Sequence, residues 1–232
     1  MKRVGIIGAM ELEVEALKAA MKVEEIKEKA SMKFYVGSLN EKEVVIVQCG
    51  IGKVNAAACT QILCDLFDIS YIINTGIAGA LHQDLNIGDL VISTDCIQHD
   101  VDVTPFGYEK GRIPGFSKRE FHADELLMSL AKEVNEKENP DIQTFLGRIV
   151  SGDQFISSHE TKEFLITEFQ AYCAEMEGAS IAQVAFLNDL PFVILRAISD
   201  KADGSANMDY KQFEREAAAH SAKLVQHLLP LL

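Results

Sequence analysis

Short runs of β-branched residues alternate along the chain with longer stretches in which apolar side chains recur every three or four positions. This alternation predicts an α/β sheet covered by helices on both faces. Residues 4–7 read as a buried strand, and residues 11–21 as the helix after it, with Val14, Leu17 and Met21 on one face. Residues 33–39 and 44–48 read as paired strands joined by a turn at Asn40-Glu41. Gly50-Ile51-Gly52 opens a helix to about Phe67, and residues 71–75 form a strand that ends in Gly76-Ile77-Ala78-Gly79. A strand at 90–93 follows a Gly88-Asp89 turn. A helix at 123–137, a strand at 145–150, a helix near 159–168, a strand at 171–176 and a helix at 178–187 come next. Pro191 introduces the last strand, 192–199, and 210–232 reads as a closing helix with Phe213, Ala217 and Leu224 inward.

One stretch breaks the pattern. Residues 99–121 have no clean period and hold Pro105, Gly107, Gly111, Pro114 and Gly115. A loop of this length in a compact domain is usually functional or an interface. No repeat, low-complexity tract or linker interrupts the rest, so residues 1–232 are expected to form a single domain.

Composition narrows the partners. The net charge of −13 repels phosphates, so neither nucleic acid nor an anionic membrane is expected as the main partner. The apolar run after Lys2 and Arg3 is cut short by Glu11 and Glu13, unlike a signal peptide. No stretch approaches the length of a membrane span. Five cysteines, odd in number and without a C-x-x-C pair, read as reduced thiols of a cytoplasmic protein.

Four features lie where an apolar strand gives way to a loop or helix: the turn from Gly8 to Glu13, Gly76-Ile77-Ala78-Gly79, Glu175-Met176-Glu177-Gly178, and Arg196-Ala197-Ile198-Ser199-Asp200. Ligands of open α/β sheets bind at such carboxyl ends. Taken singly, each has a plainer role. Glycines serve tight turns. Glu11, Glu13 and Glu15 are favoured in a first helical turn by the dipole. Asp200 fits a cap, and Met176 fits core filling. Taken together, carboxylates and an arginine at several strand ends rarely serve packing alone.

Other chemistries lack their signatures. Gly5-Ile6-Ile7-Gly8 is not a dinucleotide fingerprint, and Gly50-Ile51-Gly52-Lys53 lacks P-loop spacing, reading instead as a close-packed turn into a helix. There is no Gly-x-Ser-x-Gly. There is no H-E-x-x-H or Cys/His cluster, and His99-Asp100-Val101-Asp102 reads as an exposed polar loop.

The motifs GIIGAM-x-x-E, CGIGKVNAA, INTG-x-AG, HDVDVTPFGY, SGDQFI, EMEG and RAISD run nearly the whole length of the chain. At these motifs the chain resembles the bacterial 5′-methylthioadenosine/S-adenosylhomocysteine nucleosidases of the nucleoside phosphorylase superfamily. The resemblance implies a three-layer α/β/α domain with a mixed central sheet, a homodimer, and no metal or organic cofactor. It assigns Glu13 to the attacking water, Asp200 to protonation of adenine N7, and Glu177 to the ribose hydroxyls, with Met176 packed on the sugar. Arg196 falls near the water site, Phe155 on the adenine ring and Ile156 at its edge, while Gly79 and Ser199 match pocket positions. Met10, Ile51 and Tyr210 match the apolar lining for the 5′-thio group, which Val103, Phe106, Tyr108 and Pro114 of a neighbouring subunit are expected to complete. One position departs: many relatives have serine where this chain has Ile77, so a polar contact there must come from backbone or another residue.

The implied chemistry is coherent. Cleaving the bond leaves positive charge on the sugar and negative charge on the base. A general acid relieves the second, and carboxylates near the ribose relieve the first. Glu13 must be ionised and Asp200 able to donate, so their proton affinities are expected to be pushed apart. A purine nucleoside phosphorylase is the nearest rival, but phosphate recognition favours arginine, and none lies between Arg3 and Arg112. An aminodeoxyfutalosine hydrolase differs only in substrate. A non-catalytic nucleoside-binding protein would have no use for Glu13, Glu177 and Asp200 together.

Overall fold

The computed structural model describes residues 2–232. In chain order the elements are β1 (Arg3–Gly8), α1 (Glu11–Ala20), β2 (Lys22–Lys29), β3 (Met32–Leu39), β4 (Lys42–Gln48), α2 (Lys53–Leu66), β5 (Ile69–Ala80) and β6 (Leu90–Gln98). They continue with β7 (Phe121–His122), α3 (Glu125–Glu138), β8 (Thr144–Ser151), α4 (His159–Phe169), β9 (Cys173–Glu175), α5 (Gly178–Leu187), β10 (Phe192–Asp200) and α6 (Ala206–Leu228).

The strands form one mixed sheet. β5 lies parallel to both β1 and β10, and its last residues, Gly79 and Ala80, pair antiparallel with β9. β10 pairs antiparallel with β6, which runs parallel to β8, which in turn runs parallel to β9. β5, β10, β6, β8 and β9 therefore close into a ring, and β1, β4, β3 and β2 extend from it as an open wing. Apolar faces dictate the layers. On one side the sheet buries Cys59 and Leu63 of α2 and Ala182 and Ala185 of α5. On the other it buries Val14 and Leu17 of α1, Leu127 and Ala131 of α3, and Leu224 of α6. The result is the expected three-layer α/β/α arrangement. Each fully buried leucine contributes about 1.5–3 kcal/mol to holding its helix in place.

Four details differ from the pattern reading. β2 (KVEEIKEK) is exposed at every residue, so no alternation marks it as a strand. It pairs with β3 as the edge of the wing, where its charges discourage a further strand from adding on. β5 does not end at Thr75 but runs through the glycine segment. β6 extends to Gln98 instead of ending at Ser93. In α6, Ala217 and Leu224 are buried as expected, but Phe213 is only half-buried. The 99–121 loop is mostly irregular, with a single 3-10 turn at Thr104–Phe106. Among the described residues no helix is long and apolar enough to cross a membrane.

Candidate active site

The three glutamates of the first α1 turns have separate fates. Glu11 is exposed and pairs with Lys18 at 2.6 Å, and Glu15 is exposed near Arg215 at 3.5 Å. Glu13 is 4% exposed. Its Oε2 accepts from the backbone N–H groups of Ala9 at 2.7 Å and Met10 at 2.9 Å, and its Oε1 accepts from the N–H of Ile77 at 3.1 Å. Reaching back to Met10 caps the helix start. The contact to Ile77 ties α1 to β5 through backbone. Burial pushes the Glu13 carboxyl above its ordinary range, while Arg196 and the three N–H donors pull the other way.

Glycines make room for this carboxylate. A methyl group on Gly76 would lie 2.5 Å from Glu13 Oε1, and one on Gly79 would lie 2.8 Å from Asp200 Oδ1. Both residues sit inside β5, so they permit close approach and do not form a turn.

Asp200 ends β10, just past the register shift between β10 and β5. It is 2% exposed. The Ser199 hydroxyl donates to Oδ2 at 2.8 Å, and the Ala202 N–H donates to Oδ1 at 2.9 Å. Burial raises its proton affinity; the two hydrogen bonds oppose this, and Asp209 and Asp203 add to it. Burial is the largest influence on both Glu13 and Asp200, and it shifts both upward. What separates them is the charge they face: a cation for Glu13, carboxylates for Asp200.

The segment from Glu175 to Gly178 supplies two more carboxylates. Glu177 Oε1 accepts from the Gly52 N–H at 2.8 Å. This gives the Gly50-Ile51-Gly52 turn a task that its sequence reading missed: Gly52, at φ +97°, aims an amide at Glu177. Burial, then the charge of Glu175, pushes the Glu177 carboxyl up to about 8. Glu175, which carries no assigned role in the motif reading, accepts from the Ser151 hydroxyl, from the N–H groups of Glu177 at 3.1 Å and Gly178 at 2.7 Å, and from Arg196. Arg196 is 1% exposed and also donates to Asn74 Oδ1 at 2.5 Å.

These groups surround a cavity of about 360 Å³. Glu13, Glu177, Asp200, Ser199 and Gly79 line its polar side, and Met10, Ile51, Phe155, Met176 and Tyr210 its apolar side. Phe155 and Tyr210 meet edge to face, ring centres 5.9 Å apart, and the Tyr210 hydroxyl lies 3.2 Å from Met10 Sδ. Some expected residues are elsewhere. The Arg196 side chain sits behind the wall on Glu175 and does not line the cavity. Ile156 is buried with Leu165 and Phe169. Val103, Phe106, Tyr108 and Pro114 do not touch this chain's own cavity, and Phe106 is 82% exposed.

Residues 3–230 match the family model of the Phosphorylase superfamily. A 5′-methylthioadenosine/S-adenosylhomocysteine nucleosidase of Geobacillus sp. (strain WCH70) is 46% identical over 231 residues, covering 99% of each chain. The chain belongs to the phosphorylase superfamily and, within it, to the 5′-methylthioadenosine/S-adenosylhomocysteine nucleosidases. Solved structures of this superfamily superpose over its full length. The nucleosidase of Neisseria meningitidis in complex with methylthio-immucillin-A matches with a TM-score of 0.96 and 39% identity, covering 100% of both chains. A futalosine hydrolase of Helicobacter pylori matches with a TM-score of 0.94 and 37% identity, covering 100% of this chain and 98% of that one.

Proposed function

We propose that the protein hydrolyses the N-glycosidic bond of 5′-methylthioadenosine and S-adenosylhomocysteine, and of 5′-deoxyadenosine, releasing adenine and the sugar. This activity serves methionine salvage and removal of S-adenosylmethionine by-products. The observation that carries the reading is Glu13, a buried carboxylate fixed by three backbone amides in the wall of a cavity of about 360 Å³.

In this reading adenine stacks on Phe155, and the ribose hydroxyls meet Glu177 with Met176 against the sugar. Asp200 donates its proton to N7 as the glycosidic bond breaks, so the base leaves neutral. Raised proton affinity equips Asp200 for this step. Glu13 then takes a proton from water as the water attacks the cationic sugar carbon. Arg196 acts from behind the wall. Each proton transfer falls to a carboxylate of this chain.

The same lining argues against phosphorolysis. It includes four carboxylates, Glu13, Glu175, Glu177 and Asp200, and one cation, Lys211. Two like charges 4 Å apart repel by about 4 kcal/mol at the effective dielectric of a protein surface, so phosphate has no place beside Glu13. The test is incubation with 5′-methylthioadenosine with and without phosphate. Free methylthioribose in both samples is expected; methylthioribose 1-phosphate would overturn the reading. The likeness to a futalosine hydrolase supports aminodeoxyfutalosine as a second substrate for the same chemistry.

The rim supports a homodimer. Val103, Phe106, Tyr108 and Pro114 stand on a loop outside the chain's own cavity, in the manner of residues offered to a neighbour's. We read the chain as one domain, because two of its cores share one sheet. Its five free thiols fit a reducing cytoplasm.

A further inference from the structure

Arg196 stands between two buried carboxylates and is committed to one of them. Its Nη2 donates to Glu175 Oε2 and to Asn74 Oδ1, and its Nη1 donates to the Leu195 carbonyl at 3.0 Å. Among the described residues it makes no hydrogen bond or ion pair with Glu13. Yet the two approach each other closely: a methyl group on Gly76 would lie 2.5 Å from Glu13 Oε1 and 3.2 Å from Arg196 Nη1. Glu175 is held in turn by four donors, from Ser151, Glu177, Gly178 and Arg196. Four donors fix the carboxylate in place.

We propose that Glu175 is a positioning residue that holds the Arg196 guanidinium off Glu13, leaving Glu13 basic enough to activate water. The inference rests on Glu13 being the base, as proposed above. A carboxylate in direct contact with a guanidinium loses about one to three units of proton affinity, and a weakened carboxylate is a poor base. Arg196 held nearby but engaged elsewhere favours the charged form of Glu13 without that loss.

Among the described residues no other group supplies this balance. Glu13 also faces Glu177 across the cavity, Cys49 after β4, and Tyr210 on α6. The Cys49 thiol is pushed up by burial and the Tyr210 hydroxyl is pushed up to about 12, so neither is charged in the working range. Glu175 faces Glu177, the buried thiols of Cys96 and Cys173, and His99, whose imidazole burial pushes down. Arg196 is the one cation among these groups.

A purely structural role is the competing explanation, since Glu175 also binds the first amides of α5. The pH dependence of kcat/KM separates the two. In Glu175→Gln, which keeps the shape, Arg196 is free to pair with Glu13. The acidic limb is then expected to move down by about one pH unit, and plateau kcat to fall roughly tenfold with KM nearly unchanged. Loss of the Glu175 charge also lowers Glu177, in the same direction, so a second variant isolates the arginine. Asn74→Ala frees the other anchor of Arg196 with the Glu175 charge intact, and a smaller shift of the same sign is expected. It also serves if Glu175→Gln does not fold. An acidic limb that stays in place in the folded variants overturns the proposal, leaving Glu175 a helix cap. Glu13→Gln run beside them tests the premise: normal turnover there sinks the base assignment itself, whereas an inactive Glu13→Gln with an unmoved limb sinks only the positioning role.

Discussion

On the floor of the cavity Glu13, Glu177, Ser199 and Asp200 are each at most 6% exposed, whereas on its rim Ile51 is 54% and Phe155 47% exposed. The floor groups sit at strand ends or in the first turn of the helix that follows, and are held by directed bonds: three amides on Glu13, an amide and a hydroxyl on Asp200, the Gly52 amide on Glu177. The rim is held by softer contacts, such as the edge-to-face pair of Phe155 and Tyr210. Stabilising a developing charge requires dipoles already in place. Gripping an apolar 5′ substituent of variable length requires only adaptable area. Damage to the floor should therefore appear in kcat, and damage to the rim in KM.

The sharpest break of this contrast is Asp200→Asn. Asparagine keeps the shape but delivers no proton, so kcat is expected to fall roughly 10²–10⁴-fold, while affinity for a non-hydrolysable adenine thionucleoside changes little. Calorimetric titration beside a turnover assay reads both. Lost binding with normal turnover of whatever protein is loaded would make Asp200 a binding residue.

A subtler attack on the floor touches no charged residue. In Gly76→Ala the methyl meets Glu13 Oε1 at 2.5 Å, so the carboxylate must shift. Overpacking of this kind costs about 1–3 kcal/mol of stability, and misplacement of about an ångström can cost on the order of 10²-fold in rate. Thermal unfolding and steady-state kinetics on one preparation measure the two. Unchanged kcat would show that Glu13 placement is not critical.

The smallest effect belongs to the rim. Phe106→Ala is expected to raise KM for 5′-methylthioadenosine about tenfold, the equivalent of about 1.4 kcal/mol of lost contact, with kcat nearly constant. Sedimentation of the unmutated protein at micromolar concentration is expected to show a dimer. A fully active monomer would remove any need for a partner's loop at the rim.

Legibility in the sequence follows the same divide between local and distant information. The α5 boundaries were readable because an apolar helix stops before Pro191. The strand-end motifs were readable because each is contiguous. β2 was not, since its eight exposed residues are fixed only by backbone pairing to β3. Nor was the partnership of Glu175 with Arg196, 21 residues apart, because it depends on β9 and β10 both registering against β5. The upward push on Glu13 is not legible either, because burial is a property of the finished pocket, not of the motif.

The ring of strands also bears on how the protein comes into being. Its closure joins β5, ending at Ala80, to β10, which begins only at Phe192. Contacts between segments so far apart in sequence are slow to form, since the intervening chain must be ordered before the pairing is rewarded. Glu13 finds Ala9 and Met10 within its own turn, but it acquires Arg196 as a neighbour only when β10 docks on β5. Asp200 arrives on that same strand. During synthesis, then, a chain whose β10 has not emerged lacks both Asp200 and Arg196, and the site is assembled only after the ring has closed.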